Sequence, residues 1–243
     1  MRRIFGNLAA LICLVVFSIP AHATLEGYNS CEGANACLVA PDEAPIPDPI
    51  VANPNDGVLL GWDEKQNVTL TENLYVNRVA DPDSVFIGMD SAGVFIEAGT
   101  VVSSHYFQWD PGNGSNSRVT SQLNFDSEIF AFITSDTNLF GSDDPLGLDG
   151  FDYADFGLRG VESGDTTDFA PGGDDSLVDI SWSASSPGDW TRLITAFSPG
   201  GGDPDEPLPP VASVREPATL MLLALALVGL TIRSLLARRR HHK

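Results

Sequence analysis

Two stretches of the chain gather carboxylates at spacings that could hold a cation. "GSDDPLGLDGFDYAD" carries Asp143, Asp144, Asp149, Asp152 and Asp155, and "ESGDTTDFAPGGDDS" carries Glu162, Asp165, Asp168, Asp174 and Asp175. Calcium takes roughly six to eight oxygens, which Asp side chains and turn carbonyls supply. The best set is Asp143, Asp144, Asp149 and Asp152, because Gly147 and Gly150 let the backbone fold its carbonyls toward one point. The stretch lacks the D-x-[DN]-x-[DN]-G spacing of an EF-hand and any glycine-rich nonapeptide repeat. Acidic turns that only solvate are the commoner explanation, and both readings stand at this point. Calcium is the only cofactor the sequence raises.

Paired carboxylates also serve glycosidases, which hold two carboxyls about 5–10 Å apart in a cleft. Trp62, Trp109, Trp182 and Trp190 could line a sugar platform, or each could be a core or rim residue. Histidine excludes more. Of four histidines, His22 lies at the N-terminus and His241 and His242 at the C-terminus, so the middle keeps only His105. A multi-histidine zinc or iron site is therefore not expected. A Ser-His-Asp triad needs one histidine, but "SSHYFQW" reads as a strand and no G-x-S-x-G turn exists. No catalytic residue is assigned.

The elements that must position these groups are short strands. "SRVTSQLNF" places Val119, Leu123 and Phe125 on one face, and "SLVDISWSA" alternates Val178, Ile180 and Trp182 against Leu177, Asp179 and Ser181. "NVTLTENLYV" does the same with Val68, Leu70, Leu74 and Val76, Glu72 excepted. "EIFAFIT", "VFIGM" and "DWTRLITAF" are rich in β-branched and aromatic residues. "TSDTNLFGSDD" has room for one helical turn. Asp, Gly, Pro and Ser clusters separate these runs. The pattern predicts an all-β fold, an antiparallel β-sandwich of jelly-roll-like type, over residues 57–197. Proline-dense stretches bracket it, in a Cys-containing and Pro-rich segment at 24–56 and a Pro/Gly/acidic linker at 198–213.

Both ends read as handling signals. "MRRIFGNLAALICLVVFSIPAHA" has two arginines, a short apolar core and the small-x-small site Ala21-His22-Ala23. That is a signal peptide, residues 1–23, cleaved after Ala23. The core is too short to span a membrane comfortably, since a span needs about 20 apolar residues. At the other end an uncharged apolar run starts at Ala218, and Arg233 can snorkel to let it extend to Ala237. Arg238, Arg239, Arg240 and Lys243 follow, which fixes the basic end in the cytoplasm and the rest outside. A plain single-pass anchor competes with a processed signal.

The exported part is more acidic than the whole chain, whose net charge is −20. Of 13 basic residues only Lys65, Arg78, Arg118, Arg159 and Arg192 lie between Thr24 and Val214, against 32 of the 33 acids, so that segment carries −27. Such a surface repels nucleic acid, which is not an expected partner, and suits solubility and weak cation binding. Cys13 leaves with the signal peptide. Cys31 and Cys37 remain, and an even pair in an exported chain reads as a disulfide. Its short loop limits the stabilisation to about 2 kcal/mol.

Val214-Arg215-Glu216-Pro217, the apolar run and the basic cluster occur in that order over about the last 30 residues. This tail resembles the PEP-CTERM sorting signal, whose usual start is V-P-E-P; Arg215 stands where the first proline usually stands. The resemblance implies recognition by an exosortase, a membrane-embedded processing enzyme. It also implies a Gram-negative cell envelope and association with exopolysaccharide. The middle, from "VVSSHYFQWDP" through "SEIFAFIT", "DYADFGLRGVESGD" and "SWSASSPGDWTRLIT", resembles exported proteins with the same tail. That set has no assigned activity, so the resemblance transfers no catalytic residue. Two functional expectations follow. One is a non-enzymatic cell-surface or matrix protein, held by its C-terminal helix (about 218–237, within a 214–243 signal) until processed. The other is a carbohydrate-binding or carbohydrate-active sandwich, assisted by calcium.

Overall fold

The computed structural model describes residues 24–50, 54–112, 117–153, 157, 159–162, 164–185 and 188–197. The expected signal peptide with its Ala23 site, the linker at 198–213, and the tail with Val214, Arg215, Glu216, Pro217 and the 218–237 helix lie outside them. Among the described residues no helix is long and apolar enough to cross a membrane.

The chain runs β1 (Leu25–Glu32), β2 (Ala36–Ala40), β3 (Val58–Asp63), β4 (Val68–Thr69), β5 (Leu74–Val76), β6 (Arg78–Val79), β7 (Ile87–Asp90) and β8 (Gly93–Ile96). It continues with β9 (Val101–Trp109), β10 (Ser117–Phe125), β11 (Ile129–Ile133), α1 (Asp136–Leu146), β12 (Thr166–Phe169), β13 (Leu177–Ala184) and β14 (Asp189–Thr195). The expectation of a mostly β protein with little helix holds. A four-stranded sheet has the order β1-β10-β13-β12. A seven-stranded sheet has the order β2-β3-β9-β14-β11-β6, with β4 also on β9. A third, three-stranded sheet has the order β5-β8-β7. Among the described residues every strand pairing is antiparallel except β2 with β3.

Two hydrophobic cores follow from this layering. Val119, Leu123 and Phe125 on β10 and Val178, Ile180 and Trp182 on β13 meet Leu59, Phe107, Trp109, Phe132 and Leu193 of the larger sheet. The outer side of β10 and β13 stays partly wet, so their alternation is clean, as the sequence predicts. The larger sheet buries its other face as well. Trp62, Tyr106, Trp190 and Ile194 pack there with Leu74, Val76 and Ile96 from the small sheet and Leu139 and Leu146 from α1. Nearly every residue of β9, and all of β11 and β14, is therefore buried.

Three differences from the sequence reading have physical reasons. "NVTLTENLYV" is two strands in different sheets, β4 and β5, because the chain turns at Thr71–Asn73, where Glu72 breaks the apolar pattern. "TSDTNLFGSDD" opens a helix of 11 residues, not one turn: Ser135 caps it by accepting from the Asn138 amide, and Leu139, Ser142 and Leu146 make its buried stripe. The boundary expected at residue 57 does not divide the sheets, since β1 and β2 are edge strands of the two larger ones. Cys31 on β1 and Cys37 on β2 form the expected disulfide, with Cα atoms 6.0 Å apart, and so tie the two sheets together at one corner.

Candidate functional site

The face of the larger sheet that carries α1 holds a charged network within apolar surroundings. Arg192, at the middle of β14, is fully buried. Its Nε and Nη2 donate to the two carboxylate oxygens of Glu64 at 2.5 and 2.8 Å. Its Nη1 donates to Ser142 Oγ at 2.5 Å and to the Leu139 carbonyl at 3.3 Å, and its Nη2 also reaches Asp143 at 3.2 Å. Glu64 sits just past β3 and accepts from the hydroxyls of Ser104 (2.6 Å) and Tyr153 (2.5 Å) as well. Asp143, on α1, is clasped through both oxygens by Arg159 at 2.8 and 3.0 Å, and Arg159 Nη2 also donates to Tyr106 Oη at 3.0 Å. Burial opposes the charge on Arg192, but Glu64, Tyr106 and Asp143 outweigh it and hold its pKa above the usual value. Burial pushes the Tyr106 phenol up to about 12, against the pull of Arg159 and Arg192. The network pins the α1–Tyr153 segment to the sheet.

That segment borders a cleft of about 300 Å³ lined by Lys65, Phe140, Asp143, Asp144, Asp149 and Asp152, among others. All four aspartates expected to hold calcium thus reach one cleft. Two of the four are already paired: Asp143 with Arg159 and Arg192, and Asp149 with Lys65 at 2.8 Å. Lys65 also donates to the Asp144 carbonyl at 3.0 Å. The four are not among the carboxylates whose oxygens crowd together. Among the described residues that group is Glu162, Asp165 and Asp189, with ligand atoms within 4.8 Å of one another.

His105 sits in an arrangement that resembles a catalytic relay. Its Nδ1 lies 2.7 Å from Asp63 Oδ1 and its Nε2 lies 3.1 Å from Thr195 Oγ1. The Thr195 hydroxyl is sealed at 0% exposure, His105 is 1% exposed, and the ring packs on Phe125 at 4.8 Å. A nucleophile must reach its substrate, so this trio serves as a clamp across β3, β9 and β14. Asp63 Oδ1 also accepts the Leu25 amide at 2.9 Å, which docks the start of β1. Trp62, Trp109, Trp182 and Trp190 are all fully buried, so none offers a ring face to a sugar.

The sequence reading did not single out Glu64, Arg192 or Arg159. A signal existed for Arg192: a lone cation inside "DWTRLITAF", an otherwise strand-like run, calls for a buried acid partner. Glu64 gave none, since "WDEKQ" reads as a polar turn. Comparison of the chain with protein-family models, with curated proteins and with solved structures returns no match.

Proposed function

We propose that the chain is an exported protein of the cell surface or exopolysaccharide matrix, with a structural or binding role and no catalytic one. In this reading it is sorted and processed through an exosortase-like system, and its sandwich is of jelly-roll-like type. The observation that carries the reading is the ordered tail: Val214-Arg215-Glu216-Pro217, an apolar run, then a basic end, on a chain that opens with a cleavable-type leader. The Cys31–Cys37 disulfide supports it, because such bonds persist in oxidising compartments. The −27 between Thr24 and Val214 supports a soluble, hydrated surface role. The carbohydrate reading loses its tryptophan platform, since all four rings are buried.

The test is Glu216→Ala with Pro217→Ala in a host that carries the processing enzyme. Export should persist, while processing or final location changes. Processing and location like those of the unaltered protein would mean an ordinary anchor and end the sorting proposal. A glycan array with the purified protein tests the second reading: specific binding would revive it.

A further inference from the structure

We propose that Glu162, Asp165 and Asp189 form a calcium-binding site, separate from the aspartate-lined cleft beside α1 and independent of where the chain is sent. Asp189 opens β14, opposite Trp109 of β9. Glu162 and Asp165 lie in the connection between the Ser135–Gly160 bridge and β12. The fold brings one oxygen from each to within 4.8 Å of the others. Calcium holds its oxygens at about 2.3–2.6 Å, so ligands across one ion stand up to about 5 Å apart. The cluster has the size of one such shell.

Asp165 is aimed by its backbone partners. Its Oδ1 accepts the Ser183 amide at 2.6 Å and its Oδ2 accepts the Glu162 amide at 2.9 Å, which leaves a second lone pair on each oxygen. Asp189 supplies the independent sign of a ligand. It is 1% exposed, and its Oδ2 is buried with no N–H or O–H donor to accept from, facing only other carboxylates. A buried carboxylate oxygen without a partner is costly, and a cation is the partner that a ring of acids provides for. Among the described residues no ion pair reaches any of the three, unlike Asp143 and Asp149.

The surrounding charges do not fill the gap. Arg118 of β10 lines the adjoining cleft of about 380 Å³ with Glu162, Asp165 and Ser183, but its Nη1 donates to Ser181 Oγ. Arg78 of β6 attracts Asp165 from a distance and donates to Thr167 Oγ1. Burial first, and then Glu162 and Asp165, push the Asp189 carboxyl up to about 10. Glu162 is exposed, so water can complete the shell from the cleft side. An all-carboxylate set selects a hard cation, and no His or Cys belongs to it. Ligands from a loop and a strand end, with no fixed octahedron, suit calcium better than magnesium, which holds its waters and demands regular geometry.

The experiment is a calcium chloride titration of the purified full chain, followed by calorimetry and by melting temperature. Magnesium chloride and sodium chloride at matched ionic strength are the controls. Calcium should raise the melting temperature well above both controls, with a dissociation constant in the range of about 0.1–1 mM typical of extracellular modules. Asp189→Asn should fold and weaken calcium binding at least 30-fold, whereas Asp149→Asn should leave it unchanged. Glu162→Gln, an exposed change that does not threaten the fold, should weaken it at least 10-fold. Equal shifts from the three salts would overturn the proposal. So would calcium binding that survives both Asp189→Asn and Glu162→Gln, or that disappears in Asp149→Asn.

Discussion

Arg192→Met is the most informative single change to the buried network. It keeps most of the side-chain length and removes the guanidinium. Glu64, 4% exposed, would retain only the hydroxyls of Ser104 and Tyr153 and would lose both charged contacts. Removing one partner of a buried ion pair costs about 3–5 kcal/mol, mainly through the charge left behind. Asp143 adds little, because Arg159 still clasps both its oxygens. The Ser142 hydroxyl and the Leu139 carbonyl, which also bond Arg192, add about 1 kcal/mol between them. The expected loss is thus about 4–6 kcal/mol. For a domain of this size each kcal/mol moves the melting temperature by roughly 2–4 °C, so the shift should exceed about 8 °C. Urea unfolding at pH 7 measures it. The decisive control is Glu64→Gln combined with Arg192→Met. With neither Glu64 nor Arg192 leaving an unpaired buried charge, the double variant should be less destabilised than the sum of the single variants by about 2 kcal/mol or more. A cost below about 1 kcal/mol for Arg192→Met, or strict additivity in the double variant, would refute the reasoning.

In calcium-free buffer Asp189 should make stability fall as pH rises. Its folded pKa lies near 10 against an unfolded value of 3.8, so its contribution is fully present below about 4 and is lost progressively toward 10. Asp189→Asn should flatten that slope in denaturant melts across the range; an unchanged slope would mean that the carboxyl is not so perturbed. Gly160→Ala should cost about 2 kcal/mol or more, because φ is +113° and a Cβ would sit 2.2 Å from the Thr134 carbonyl oxygen. Differential scanning calorimetry would detect it, and a neutral outcome would remove the strain argument. Alkylation of the non-reduced protein should label neither Cys31 nor Cys37; after reduction both should react, with a stability loss of about 2 kcal/mol.

The legibility of this fold in its sequence depended on which strands touch water. β10 and β13 have one wet face, so Val119, Leu123, Val178, Ile180 and Trp182 stood out at period two. β9 and β14 are covered on both sides, and polar members such as Ser104, Gln108, Thr191 and Arg192 are buried among the apolar ones. Alternation cannot show which residues face which core, so the third layer was invisible. The full length of α1 is not legible because its apolar stripe is thin and Pro145 sits in its last turn. The carboxylates of the two acidic stretches were legible as a class. Their roles were not: the charge on Asp143 is answered by arginines that the fold brings from β14 and from the segment before Gly160. Asp189, outside both stretches, joins Glu162 and Asp165 only through the sheet.

The order of the larger sheet also constrains how the chain can be built. β14, the last strand among the described residues, lies between β9 and β11 and hydrogen-bonds to both. As the chain emerges from its N-terminus, β2, β3 and β9 can assemble on one side and β11 with β6 on the other. The gap between them stays open until residues 189–195 arrive. Arg192 travels on that strand, and its partner Glu64 lies 128 positions earlier. Glu64 therefore waits without its guanidinium through most of synthesis. Such distant closure predicts slow, late, all-or-none folding. A chain cut short before Asp189 would present two apolar sheet fragments with bare edges, the form in which β proteins associate wrongly.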